Sequence, residues 1–321
     1  MNFIQQAYKG NNQWYIYVFV LFMVFFGWQF IGALPLLGLA GLYANNTQEF
    51  MLAANDNFTS LGIDKNLYLF VVILMFVFAL AFLYIGVKFI HKRAFKTVVT
   101  SRERIDWSRF FNGFVTWGLV SAVTIGLGIA FTPEHYVWNF HPIPFIILVF
   151  VSFLFLPLQT SFEELFFRGY LMQGIGVLVK NRWFPLLITS VIFGLLHGAN
   201  PEIEKLGYIA MVFYIGTGLF FGIITLMDEG LELAMGLHAI NNIMAAFLVT
   251  TNWTVFQTDA LFIDVSEPSV GLEMFLPVFV LYPLLLLYFS KKYSWKNWKE
   301  KLTGNITKPI LSPSEETQAI K

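Results

Sequence analysis

The side chains best able to do chemistry lie late in this chain of 321 residues. The stretch Ser161-Phe162-Glu163-Glu164-Leu165-Phe166-Phe167-Arg168-Gly169 puts two acids and a base at the end of a strongly apolar run. A carboxylate at mid-membrane costs about 2.5–3.5 kcal/mol on insertion scales, so an acidic pair in such a run reads first as a functional site. On a helix Glu164 and Arg168 are i,i+4 neighbours with the acid on the N-terminal side, the better order for an ion pair. Glu163 lies about 100° further round the same helix. The spacing makes Glu164 and Arg168 a structural pair and leaves Glu163 as the carboxylate available for chemistry.

Two of the five histidines lie in apolar runs. His197 ends Val191-Ile192-Phe193-Gly194-Leu195-Leu196-His197, one helical turn after Phe193, and His238 precedes Asn242 by one turn in His238-Ala239-Ile240-Asn241-Asn242. For His91, His135 and His141, in or beside loops, solvated interfacial roles suffice. Either intramembrane imidazole alone is explained by a hydrogen bond to a neighbouring helix. With Glu163 they place ionisable groups on three helices, whereas the first three apolar runs carry almost none in their centres.

Two chemistries are open to that set. A glutamate in low-dielectric surroundings is a stronger base and can deprotonate a water, particularly one shared with an imidazole. Attack on a peptide carbonyl then builds negative charge on its oxygen, which the Asn242 amide or a protonated His238 can stabilise. Alternatively Glu163, His197 and His238 are three ligands of a catalytic zinc with its fourth position open. No H-E-x-x-H is present, since Gly198 follows His197 and Ala239 follows His238. Metal-free hydrolysis is therefore the preferred reading, with no cofactor, and zinc is the alternative. The absence of cysteine excludes disulfides, thiolate ligands and a thiol nucleophile.

The elements that must position these groups are membrane spans. The chain is 57% hydrophobic and 12% charged, against about 25% charged in ordinary soluble domains. Zero net charge and no basic tract argue against nucleic-acid partners and point to a peptide or protein substrate at the membrane and to lipids. The fold class is an all-α membrane protein of eight predicted spans, at about 14–42, 67–90, 110–131, from 142 into the acidic stretch, 183–197, 206–227, 231–250 and 271–290. Loops 91–109 and 291–301 hold the Lys and Arg clusters, so both termini are expected in the cytoplasm. Residues 1–302 read as one membrane domain and 303–321 as a disordered cytoplasmic tail. Trp14, Trp107, Trp138, Trp183 and Trp253 fall near span ends, as an aromatic belt does. Gly194-x-x-x-Gly198 and Gly218-x-x-x-Gly222 would let helices approach closely around His197. At 1.5 Å per residue His197 lies about 22 Å from Arg182, but His238 only about 10 Å past the acidic turn at 228–232. Tilted helices, a re-entrant segment at 170–182 or a water-filled cavity could reconcile those depths.

Taken together, Glu163-Glu164-x-x-x-Arg168, Phe193-x-x-x-His197 and His238-x-x-x-Asn242 resemble the signature of the intramembrane CPBP family. That family comprises the type II CAAX prenyl endopeptidases and bacteriocin-processing or self-immunity proteins, including those similar to lysostaphin resistance protein A. The match spans about residues 145–250. The resemblance implies an eight-helix fold with a polar cavity open to the cytoplasm. It also implies that Glu163 and His197 activate water, His238 and Asn242 line the oxyanion site, and Arg168 holds Glu164. The expected function is an intramembrane endopeptidase acting on a membrane-associated or lipidated substrate, by CAAX-type, bacteriocin or leader-peptide processing. The expected location is a bacterial plasma (inner) membrane. The alternatives are a non-catalytic scaffold or immunity protein of the same fold and, more weakly, a transporter, for which inverted repeats would be expected.

Overall fold

The structure is a computed structural model that describes residues 1–309. Its frame is a set of helices labelled here α1 (Trp14–Tyr43), α2 (Lys65–Ile90), α3 (Trp107–Phe131), α4 (Pro142–Val179), α5 (Trp183–Ala199), α6 (Tyr208–Asp228), α7 (Glu232–Phe247) and α8 (Met274–Lys292). Long runs of Leu, Phe, Val and Ile make helices here because in lipid every backbone N–H and C=O must be satisfied within the segment. Polar residues mark where runs begin: the Asp64 carboxylate accepts from the Asn66 and Leu67 amides ahead of α2, and Asp106 from Ser108 ahead of α3.

The protein is an integral multi-pass membrane protein, with six helices long and apolar enough to cross a bilayer among the described residues. The expected count of eight is not met on length, because α5 is shorter and α7 has 16 residues. Those two carry His197 and His238. The re-entrant segment considered at 170–182 does not form. Instead α4 runs unbroken for 38 residues to Val179, through a widened turn at Leu165–Leu171 that begins directly after Glu164. Such i→i+5 turns are rare and concentrate at functional sites.

Helix α7 packs between α3 and α4, and α5 lies along α6. Both approaches depend on glycine. A Cβ on Gly236 would strike the Phe110 carbonyl oxygen of α3, and one on Gly218 would sit 2.8 Å from the Ser190 carbonyl oxygen of α5. Gly194 is likewise closed in by Ile215, whereas Gly198 faces open space, so the small-residue pattern around His197 works through its first member only. Buried Trp117, Phe220, Ile240, Tyr282 and Phe289 knit α3, α6, α7 and α8 together. A second apolar cluster, with Tyr17, Val20, Leu83, Phe162 and Tyr170, joins α1, α2 and α4.

At one end of the bundle the basic loops close on the turn between α6 and α7. Arg102 pairs with Asp228 at 2.9 Å and Glu232 at 3.0 Å, and Lys301 pairs with Glu229 at 3.2 Å. Glu229 also accepts from the Phe3 amide. Phe3, Ile4 and Ala7 are buried, so the polar lead at 1–13 is part of the core. Within the expected tail, the Ile306 amide donates to the Lys180 carbonyl at 2.9 Å, Gln5 Nε2 donates to the Thr307 carbonyl at 2.9 Å, and Ile306 is buried. The rest of that predicted tail, 310–321, lies outside the described residues.

At the opposite end sits a small sheet absent from the sequence reading, with β1 (Tyr136–Trp138), β2 (Val249–Thr250) and β3 (Phe262–Asp264) in the order β1-β3-β2. Strand β3 runs antiparallel to β1, with Val137 opposite Ile263, and parallel to β2.

His91 departs from its expected solvated role. It is fully buried, with Nδ1 donating to the Asn11 carbonyl at 2.6 Å and Nε2 accepting from the Tyr170 hydroxyl at 2.8 Å. His135 and His141 are exposed.

Candidate active site

Helix α4 brings Gln159, Glu163, Glu164 and Arg168 into the bundle. Glu164 and Arg168 are both fully buried and joined at 3.0 Å (Arg168 Nη1 to Glu164 Oε1), the i,i+4 pair that the spacing predicts. Arg168 Nη2 donates to the Gly218 carbonyl of α6 at 3.1 Å, and the guanidinium stacks 4.2 Å from the centre of the Phe193 ring of α5. The cation thus has an anion, a carbonyl dipole and an aromatic face, three separate compensations for lost hydration.

Glu163 is less alone than the spacing suggests. Gln159, one turn earlier, donates from Nε2 to Glu163 Oε1 at 3.2 Å, and Glu163 Oε2 lies 3.7 Å from His238 Nε2. The other ring nitrogen, His238 Nδ1, is 2.8 Å from Glu164 Oε1. A carboxylate only accepts, so Nδ1 carries the proton of that bond. The His238 imidazole bridges the two glutamates and stacks on Phe221, with ring centres 5.1 Å apart.

His197 occupies a neighbouring position. It lies in the last turn of α5, and its Nδ1 donates to the Phe193 carbonyl at 2.7 Å, which leaves Nε2 as the basic nitrogen. Its ring stacks on Tyr214 of α6 at 4.5 Å with 20° between planes. Among the described residues no hydrogen bond or ion pair joins it to Glu163. Phe193 stands between the two histidines, 4.7 Å from the His197 ring and 6.1 Å from the His238 ring. His197 lies one turn beyond Phe193 on α5, with the Phe193 ring between it and His238. Glu163, Glu164, Arg168, Phe193 and His238 come together, His197 borders them, and Asn242 is half-buried one turn beyond His238 on α7.

Several members of this constellation escape sequence reasoning. Gln159 could have been found as a polar residue one turn before Glu163. Glu202 could not: it looks like an ordinary helix-start acid after Pro201, yet it is buried and accepts from the Tyr214 hydroxyl, from Asn200 Nδ2 at 3.1 Å and from the Val255 amide at 3.1 Å. Trp117 donates from its indole nitrogen to Asn241 Oδ1 at 3.0 Å, a contact across 124 positions.

The zinc alternative requires Glu163, His197 and His238 to converge on one point. Among the described residues no group of three His, Cys, Asp or Glu side chains is arranged to hold a metal ion. Glu163, His197 and His238 do not form such a group in this structure.

Comparison with known proteins adds an independent line. The profile of the family described as type II CAAX prenyl endopeptidase Rce1-like matches residues 142–244, the segment from the start of α4 to near the end of α7. Over 300 residues the chain is 30% identical to the uncharacterized protein YyaK of Bacillus subtilis (strain 168), across 91% of this chain and 97% of that protein. No solved structure matches the chain significantly.

Proposed function

The chain belongs to the Rce1-like family of type II CAAX prenyl endopeptidases, and from that premise we propose that it hydrolyses a peptide bond in a membrane-associated substrate through a water activated by Glu163. Glu163 takes a proton from the water, and the resulting hydroxide attacks the scissile carbonyl. Asn242 donates to the developing oxyanion, and so does His238 through Nε2 once that nitrogen as well as Nδ1 carries a proton. The proton held on Glu163 then passes to the departing amine as the C–N bond breaks, so the carboxylate is regenerated. Gln159 steadies one oxygen of the base. His197, with its Nδ1 committed to Phe193, offers Nε2 as an acceptor to a water or to the substrate amide.

What supports this reading is the position of His238, which directs one ring nitrogen at each member of the glutamate pair. That imidazole is held by Glu164 and Arg168 in the tautomer whose Nε2 side faces Glu163. A scaffold would have no use for such an arrangement at the cost of burying it.

The surroundings of the site support a lipid-bearing substrate. An apolar groove of about 520 Å³, lined by Val77, Leu80, Tyr84, Phe95 and Leu165, opens beside the residue that follows Glu164. It suits a lipid chain attached to the peptide. A prenylated CAAX-type protein or a lipid-associated leader peptide presented from the cytoplasmic side of a bacterial plasma membrane meets these requirements. The basic end of the bundle, with Arg102, Arg109 and Lys301, faces that side.

The test is proteolysis of a lipidated reporter-peptide library by purified protein, with Glu163→Ala and chelator-treated wild type alongside. Cleavage that vanishes in the variant and survives the chelator is the expected result. Loss under chelator would restore a bound metal, and equal cleavage by wild type and Glu163→Ala would remove the glutamate from the mechanism.

A further inference from the structure

We propose that Trp117 and Asn241 are positioning residues that decide which face of the Asn242 side-chain amide meets the substrate. The inference rests on the proteolytic reading above for its purpose, but its geometry stands apart from it. The Trp117 indole on α3 is 8% exposed and donates from Nε1 to Asn241 Oδ1 at 3.0 Å; Asn241 Nδ2 in turn donates to Asn242 Oδ1 at 3.1 Å.

The order of this relay is dictated by chemistry. An indole nitrogen can only donate, whereas a carboxamide has one accepting end and one donating end. Asn241 must therefore turn its oxygen to Trp117, since the flipped amide would set N–H against N–H and leave the buried indole without an acceptor. Its NH2 group is then the end left for the next residue, and Asn242 must answer with its own oxygen. The Asn242 NH2 is left as the end pointing away from the relay. Asn242 shares a helix face with His238, one turn earlier. A single donor-only side chain on α3 thereby makes Asn242 offer hydrogens rather than lone pairs on that face. An oxyanion needs that polarity, and the reversed amide would repel it.

The relay also needs α3 to lie unusually near α7, and the glycines provide this. Gly113, one turn before Trp117, is packed against the Leu233 carbonyl of α7, as Gly236 is against the Phe110 carbonyl of α3. Trp117 is braced from behind by the Tyr282 ring of α8, 5.8 Å away.

Trp117→Phe keeps the aromatic packing and deletes the donor. It should lower kcat roughly tenfold with KM unchanged, a fraction of the about 10²–10³ that loss of an oxyanion donor costs. Asn241→Leu should do the same. In the Asn242→Ala background neither substitution should lower kcat further, because the group they steer is gone. A merely structural role predicts equal losses in both backgrounds, and that additive result would overturn the proposal. A second readout needs no turnover. In asparagine-labelled protein in nanodiscs, the Asn242 NH2 proton pair, assigned by its absence in Asn242→Ala, should shift in Trp117→Phe. An unmoved pair would sink the relay. If wild type cleaves no peptide, the protease reading fails and the amide signal alone decides this one.

Discussion

Glu164 Oε1 lies 2.8 Å from His238 Nδ1 and accepts from Arg168 at 3.0 Å through the same atom. The second glutamate of the pair is thus more than a partner for arginine. It selects the His238 tautomer and aims Nε2 at Glu163. Glu164→Gln keeps the volume and one acceptor but gives up the charge and allows the amide to present a donor instead. We expect kcat to fall by roughly 10²-fold or more, as when an orienting carboxylate is neutralised in a triad, with little change in KM. A kcat within twofold of wild type would contradict the tautomer argument.

Arg168 carries the stability of this knot. Arg168→Met leaves the fully buried Glu164 carboxylate with no guanidinium and, among the described residues, with the His238 imidazole as its remaining hydrogen-bond partner; removal of one member of a buried pair costs about 3–5 kcal/mol. The thermal midpoint in detergent should drop markedly, and Glu164→Gln/Arg168→Met should recover part of the loss. If Arg168→Met alone melts with wild type, the pair contributes no net stability.

The Tyr214 ring and hydroxyl can be separated. Tyr214→Phe keeps the stack on His197 and breaks the bond to Glu202, so turnover should fall only a few-fold. Tyr214→Ala removes both, and His197 loses the surface that holds its ring, with a loss of about tenfold or more from misplacement alone. Equal kcat values for the two variants would show that the stack does not position His197.

Acid should destabilise the protein through His91. Burial, and then the neighbouring Arg93 guanidinium, lower its pKa from 6.5 to about 4, and its neutral ring is satisfied on both sides by Asn11 and Tyr170. Between those two values the unfolded chain binds a proton that the folded chain refuses, so stability rises with pH through this window. His91 therefore contributes its full stability above about pH 6.5, and that contribution is lost progressively as pH falls toward 4. The unfolding midpoint measured from pH 7.5 to 4.5 should decline more steeply for wild type than for His91→Gln; parallel curves would acquit His91.

Much of the site was legible because its signals are local. Glu163, Glu164 and Arg168 declare their relation through spacings of one and four on a helix, and Phe193 precedes His197 by one turn in the same way. The six long spans follow from composition. What could not be read is non-local. No spacing rule connects His238 to Glu164 across 74 positions or Trp117 to Asn241 across 124. His91 was misjudged because a histidine among basic loop residues looks the same whether water or a tyrosine lies beyond it. The widened turn after Glu164 leaves no mark in hydropathy, since its residues other than Arg168 are of the same apolar types as those of the helix around it.

The turn at Glu229 gathers the Phe3 amide, Arg182 and Lys301 on one carboxylate, and this sets a timetable for biogenesis. Phe3 is made before α1 and Lys301 after α8. The turn that launches α7, with His238 and Asn242 on it, therefore lacks its Lys301 clamp until α8 has been made. Glu163 and its neighbours on α4 enter the membrane long before the imidazole that will face them is secured. Glu163 and His238 thus face each other beneath a clamp that only the segment after α8 completes.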